Sequence, residues 1–111
     1  IEKIYLIRNY IDSINLQKIL SELDMSKLKI LNFTANCITN IPLEINSLKN
    51  LEILVLNNNK IKTVENIDKL KNLNRLELKG NMINEITNNS KDFLVNSTNL
   101  LFITLSCNIL T

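Results

Sequence analysis

One frame recurs five times along this chain: apolar side chains at its first, fourth and sixth positions, asparagine at the ninth, and apolar side chains again at the eleventh and fourteenth. The copies begin at Ile1, Leu28, Leu51, Leu73 and Leu100, and they bring Asn9, Asn36, Asn59, Asn81 and Asn108 to the same point. Every apolar slot is filled until the chain stops at Thr111. At 45% apolar content chance would achieve this roughly once in 10⁸ trials, so the period belongs to the fold. A unit this short cannot bury its own apolar face. Successive units must therefore stack, each closing the core of its neighbour.

The frame resembles the signature of the leucine-rich repeat family, L-x-x-L-x-L-x-x-N-x-L, and every copy meets it with Leu, Ile and Phe exchanged, across the whole chain. The resemblance implies an α/β solenoid: a right-handed superhelix with a concave parallel sheet of about five strands and short helical or 3-10 segments on the convex side. It implies one array over 1–111, divided into 1–27, 28–50, 51–72, 73–99 and an incomplete 100–111. Neither end carries the polar cap that a solenoid needs, so an interior piece of a longer protein is expected.

Successive copies start 27, 23, 22 and 27 residues apart. The two middle intervals look like the short repeat type and include the phrases Leu48-Lys49-Asn50-Leu51 and Leu70-Lys71-Asn72-Leu73. Both longer intervals have room for a helix. Leu16, Ile19, Leu20 and Leu23 fall at helical spacing, with Gln17, Lys18, Ser21 and Glu22 left for water. In the fourth copy Ser90 is the expected N-cap, Asp92 lies in the first turn, and Phe93 and Leu94 anchor the helix. The short copies offer only Ile45 with Leu48 and Ile67 with Leu70, three apart, which suits a single 3-10 turn. Pro42 biases Ile41 to extended geometry, as in a loop leaving the strand.

The ninth-position asparagines answer a need that stacking creates. After each strand the backbone turns inward, and its N–H and C=O groups need partners away from water. An amide side chain offers two donors and an acceptor to meet them. Asparagine and lysine are otherwise abundant as in A/T-rich genomes, so single Asn and Lys residues outside the frame carry no functional weight.

Several functions are excluded by composition. With no histidine and two cysteines, the chain has no zinc-ligand spacing and no Ser–His or Cys–His pair; no metal, cofactor or enzymatic activity is expected. A net charge of +2 makes no case for nucleic acid. The apolar runs are far too short to cross a membrane. Cys37 and Cys107 lie three repeats apart, roughly 14 Å at the usual strand spacing and too far for a disulfide. Two free thiols suit a reducing compartment, cytoplasmic or otherwise intracellular. Asn-x-Ser/Thr triplets occur at Asn32, Asn88 and Asn96, but abundant asparagine makes such triplets common, and a glycan on Asn32 would stand on the sheet's working surface.

Outward positions three, five and seven define the candidate protein-binding face. They are Lys3, Tyr5 and Ile7; Ile30, Asn32 and Thr34; Ile53, Val55 and Asn57; Arg75, Glu77 and Lys79; and Phe102, Thr104 and Ser106. Position eight adds Arg8, Ala35, Asn58, Gly80 and Cys107. Tyr5, Ile7, Ile30, Ile53 and Val55 would form an exposed apolar patch, with the charged row Arg75, Glu77, Lys79 as its polar rim. Lys27, Lys29, Lys49, Lys69 and Lys71 read as a solvated face. These features point to a non-catalytic scaffold or regulatory module that binds a protein partner on the concave sheet. The short repeats also look similar to those of the phosphatase-1 regulatory leucine-rich repeat family. Two other readings stand beside it: the recognition segment of a multidomain signalling enzyme or ubiquitin ligase, and a segment of an extracellular receptor.

Overall fold

The computed structural model describes residues 2–22, 24–97 and 102–104, the last three as backbone alone. In chain order its elements are β1 (Lys3–Tyr5), α1 (Ser13–Glu22), β2 (Ile30–Asn32), a 3-10 helix (Leu43–Ser47), β3 (Ile53–Val55), β4 (Thr63–Val64), β5 (Arg75–Glu77), β6 (Glu85–Ile86), α2 (Asn88–Asn96) and β7 (Phe102–Thr104). One five-stranded sheet runs β1-β2-β3-β5-β7, every neighbouring pair parallel. The register joins Ile4, Leu31, Leu54, Leu76 and Ile103 in one row. Leu31, Leu54 and Leu76 are fully buried, as are the sixth-position residues Phe33, Leu56 and Leu78. A period-two strand that buries alternate residues must turn the residues between them to the other face.

The opposite layer is less regular. Ile41, Ile45, Ile61, Val64, Ile67 and Leu70 close the core there, all fully buried. Asp12 begins α1, its carboxylate accepting from Asn15 N–H at 2.9 Å, and Leu16 and Leu20 turn inward. Leu23 lies outside the described residues. Ile14 departs from the frame: it occupies a core slot in the sequence pattern yet is 75% exposed. The helix starts one residue before it, and Leu16 supplies the core contact instead.

One boundary also differs from expectation. α2 is capped by Thr87, whose hydroxyl accepts from Ser90 N–H at 3.4 Å; Ser90 itself is fully buried in the first turn. Phe93 and Leu94 are half-buried against the core. As expected, a 3-10 helix forms around Ile45, and Leu70 N–H bonds Ile67 O at 3.1 Å in a single turn of the same i to i+3 type, followed by Leu73 N–H to Leu70 O at 3.0 Å. The pairing of β4 with β6 supplies further order on that side, two residues from each strand.

Candidate binding face

The chain leaves β1, β2, β3 and β5 through a residue with left-handed backbone: Arg8 (φ 61°), Ala35 (60°), Asn58 (57°) and Gly80 (72°). This eighth-position column was expected to widen the outward face. Arg8 and Asn58 are exposed there, and the backbone of the column also swings the chain inward so that Asn36, Asn59 and Asn81 enter the core. Left-handed geometry favours Gly and Asn, and the sequence's single glycine occupies this column. Ladder hydrogen bonds run up to the turn: Ala35 N–H meets Asn57 O at 2.9 Å and Asn58 N–H meets Lys79 O at 2.7 Å.

Asn36, Asn59 and Asn81 are buried. The Asn59 amide donates to Leu56 O of its own repeat at 3.1 Å and to Phe33 O of the preceding one at 3.0 Å, while its oxygen accepts from Ile38 N–H at 3.1 Å. Asn81 repeats the pattern with Leu78 O, Leu56 O and Ile61 N–H. Asn36 serves Phe33 O and Leu6 O, and accepts from both Asn9 N–H and Ile11 N–H at 2.9 Å. Asn9 itself is exposed and reaches Ile7 O; Asn108 lies outside the described residues.

On the outward face the register aligns Lys3, Ile30, Ile53 and Arg75 in one row and Tyr5, Asn32, Val55 and Glu77 in the next. The backbones of Phe102 and Thr104 continue these rows, while Ser106 and Cys107 lie outside the described residues. The expected apolar patch is smaller than the sequence suggested. Tyr5 (54%) and Ile7 (45%) are exposed, Ile30 and Ile53 are half-buried, and Val55 is only 7% exposed. Val55 sits in register between Asn32 and Glu77, and side chains on both neighbouring strands shield it in a way an edge residue such as Tyr5 escapes.

Polar residues on this face are held in place. Asn32 Oδ1 accepts from the Thr34 hydroxyl at 2.6 Å and from its N–H at 3.1 Å. The Glu77 carboxylate accepts from Asn57 Nδ2 at 2.9 Å and from Arg75 Nη1 at 3.1 Å, and Asn57 Oδ1 accepts from Lys79 N–H at 2.8 Å. Such pairs near solvent contribute little stability, about 0 to 1 kcal/mol each, but they fix orientation. Lys3, Arg75 and Lys79 are the exposed cations of the face.

Other asparagines dismissed as compositional proved to join repeats. Asn50 Nδ2 donates to Ser26 O at 2.6 Å, Asn72 Nδ2 to Lys49 O at 2.9 Å, and Asn66 Nδ2 to Ile41 O at 2.7 Å. Asn46 bonds both Asp68 and the Lys69 N–H. The signal was available for Asn50 and Asn72, which recur at the same place in the two Leu-Lys-Asn-Leu phrases. Cys37 is a half-buried free thiol. Beside β4 and β6, burial and then the Glu85 carboxylate push the Glu65 carboxyl above its ordinary range. Among the described residues no cluster of potential metal ligands occurs and no helix is long and apolar enough to cross a membrane.

A parallel sheet built from one three-residue strand per repeat, backed by an asparagine ladder, defines an α/β repeat solenoid. The chain belongs to the leucine-rich repeat family: residues 26–69 match the model for leucine-rich repeats in two copies. It is similar to a leucine-rich repeat protein of Leptospira interrogans, at 33% identity over 78% of this chain and 21% of that one, with a TM-score of 0.71. An internalin (inlF) of Listeria monocytogenes matches at 29% identity over 78% of this chain and 24% of that one, with a TM-score of 0.65. The leucine-rich repeat ectodomain of the receptor kinase SOBIR1 of Arabidopsis thaliana matches at 30% identity over 77% and 46%, with a TM-score of 0.61. The chain thus spans less than half the length of each of these structures. Curated proteins yield no match.

Proposed function

We propose that this array is a non-catalytic module that binds a protein partner across the outward face of its sheet. The observation that carries the reading is the fixed arrangement of that face: Tyr5 and Ile7 form an exposed apolar corner, and Arg75, Glu77 and Asn57 are tied into one oriented network. Aromatic and arginine side chains are the types that most often anchor interfaces, and preorganised polar groups reduce the ordering cost of binding. Leucine-rich repeat arrays serve in general as interaction scaffolds, which supports the same reading. Residence in the cytoplasm or another intracellular compartment is part of the proposal, supported by the free thiol of Cys37.

The test compares captured proteins by quantitative mass spectrometry, using the wild type, Tyr5→Asp, Arg75→Glu and a rear-face control, Lys62→Glu. Circular dichroism confirms that each variant is folded. Partners bound through the face are lost from the first two variants and kept by the control. Retention of every partner by both face variants refutes the proposal.

A further inference from the structure

Hydrogen bonding within the outward sheet face consumes its acceptors and leaves donors over. At positions three, five and seven of the described strands, only Asn32, Asn57 and Glu77 carry carbonyl or carboxylate oxygens. Asn32 Oδ1 accepts twice from Thr34, and Asn57 Oδ1 accepts from Lys79 N–H. Each Glu77 oxygen takes its own donor, Asn57 Nδ2 on Oε1 and Arg75 Nη1 on Oε2. Because the Thr34 N–H can only donate, it fixes which arm of the Asn32 amide is oxygen. The other arm, Nδ2, meets no acceptor among the described residues. Asn32 is half-buried, on a strand with a neighbour on each side.

Charge is distributed in the same sense. Of 13 basic and 11 acidic side chains, Lys3, Arg8, Arg75, Lys79 and Glu77 stand on this face and its first exit turn, leaving nine basic and ten acidic elsewhere. The positive excess of the chain therefore belongs to this side. Setting Arg75 and Glu77 aside as a neutral pair does not change that, since Lys3, Arg8 and Lys79 are exposed and form no ion pair among the described residues. An excess of one sign steers partners of the opposite sign and rejects like charge.

Lys3 stands on β1 and Lys79 just beyond β5, three strand intervals away, roughly 14 Å at the usual spacing. Between them β2 and β3 show no charged side chain outward. An extended segment crossing the strands covers that distance in about four residues. It would pass over Asn32 and desolvate the amide nitrogen, so a segment without an acceptor there leaves a buried donor unpaired. A nucleic acid strand would bring a phosphate at every step, which the uncharged middle cannot neutralise.

We propose that the occupant of the outward face is an acidic, extended segment of a protein partner. It crosses the strands with an apolar side chain against Tyr5 and Ile7, an acceptor on Asn32 Nδ2, and carboxylates toward Lys3 and Lys79. This rests on the protein-binding reading above and names the partner's chemistry.

The test selects binders to the folded chain from a random dodecapeptide library displayed on phage, then measures the selected peptides by fluorescence anisotropy. Loss of binding in Tyr5→Ser, a neutral change, places a peptide on the face independently of charge. Face-bound peptides are expected to be enriched in Asp and Glu over the starting library. Lys3→Gln/Lys79→Gln weakens them about tenfold, as two exposed charge contacts would. Lys62→Gln/Lys91→Gln removes the same charge elsewhere and leaves affinity unchanged. Asn32→Asp keeps an acceptor for Thr34 but replaces the outward donor, and abolishes binding; circular dichroism confirms that each variant is folded. Face-bound peptides without acidic enrichment, or equal losses in the two lysine double variants, overturn the proposal and leave the protein-binding reading standing. Selection of no peptide sensitive to Tyr5→Ser overturns both. Tighter binding of a thymidylate dodecamer than of any selected peptide also overturns it and assigns the face to nucleic acid.

Discussion

Replacing Asn59 by leucine isolates what one rung of the ladder contributes. Leucine has the same number of side-chain heavy atoms and the same branching at Cγ but is bulkier, so the substitution removes hydrogen bonds without opening a cavity. The consequences can be traced group by group. Ile38 N–H has Asn59 Oδ1 as its partner at 3.1 Å and is orphaned in a buried setting. Phe33 O keeps the Asn36 amide at 2.9 Å, Leu56 O keeps the Asn81 amide at 2.9 Å, and Asn57 O, the third acceptor at 3.2 Å, keeps Ala35 N–H at 2.9 Å, so the three carbonyls are weakened rather than stranded. One orphaned buried donor costs about 1 to 3 kcal/mol, and the weakened carbonyls place the total near the upper half of that range, about 2 to 3 kcal/mol. For a chain of this size that lowers the melting temperature by roughly 8 to 12 °C. Asn57→Leu is the matched control: its partners, Glu77 and the exposed Lys79 N–H, can turn to water, so its cost stays under about 1 kcal/mol. A second variant sharpens the test. Asn59→Asp keeps the acceptor for Ile38 but aims a carboxylate at three carbonyls, and acidification restores a donor to it. Thermal unfolding followed by circular dichroism at neutral and acidic pH reads all three. Equal melting temperatures for Asn59→Leu and Asn57→Leu refute the reasoning.

Three further outcomes are expected. Ala35→Gly relieves left-handed strain and stabilises by about 0.5 to 1 kcal/mol in urea titration, while Gly80→Ala destabilises by about 1 kcal/mol and also crowds Asn58 Oδ1; the same sign for both would show that the eighth-position turn is not strained. Thr87→Ala loses a helix cap and about 1 kcal/mol, whereas Ser90→Ala, which deletes a buried hydroxyl without a partner among the described residues, is neutral or stabilising; greater loss from Ser90→Ala would return the cap to Ser90. Glu65 has a folded-state pKa above its ordinary 4.5, so the folded state favours its protonated form; that contribution is full below 4.5 and is lost as pH rises through the folded value. Glu65→Gln therefore raises the urea midpoint at neutral pH and converges with the wild type in acid, and an unchanged neutral midpoint counts against it.

How far the sequence discloses this structure varies from residue to residue. The rows Ile4–Leu31–Leu54–Leu76 and Tyr5–Asn32–Val55–Glu77 follow from the frame, because parallel register is set by which side chains need burial. Exposure along those rows does not follow. Val55 and Tyr5 hold the same repeat position, yet one is flanked by strands on both sides and the other by one. The left-handed column is announced by Gly80 and Asn58 alone, since Arg8 and Ala35 accept that conformation under tertiary constraint. Ser90 is as good a capping type as Thr87, and the choice depends on where β6 releases the chain. β4 and β6 are two residues each, too short for any periodicity to register.

The sheet keeps one register across repeats of 27, 23, 22 and 27 residues. The array thereby separates two kinds of mutational freedom. Substitution on the strand side changes what is displayed without changing where it stands. Insertion or deletion on the far side alters the packing layer and leaves every displayed side chain at its address. A lineage carrying such repeats can revise its recognition surface and its scaffold length independently.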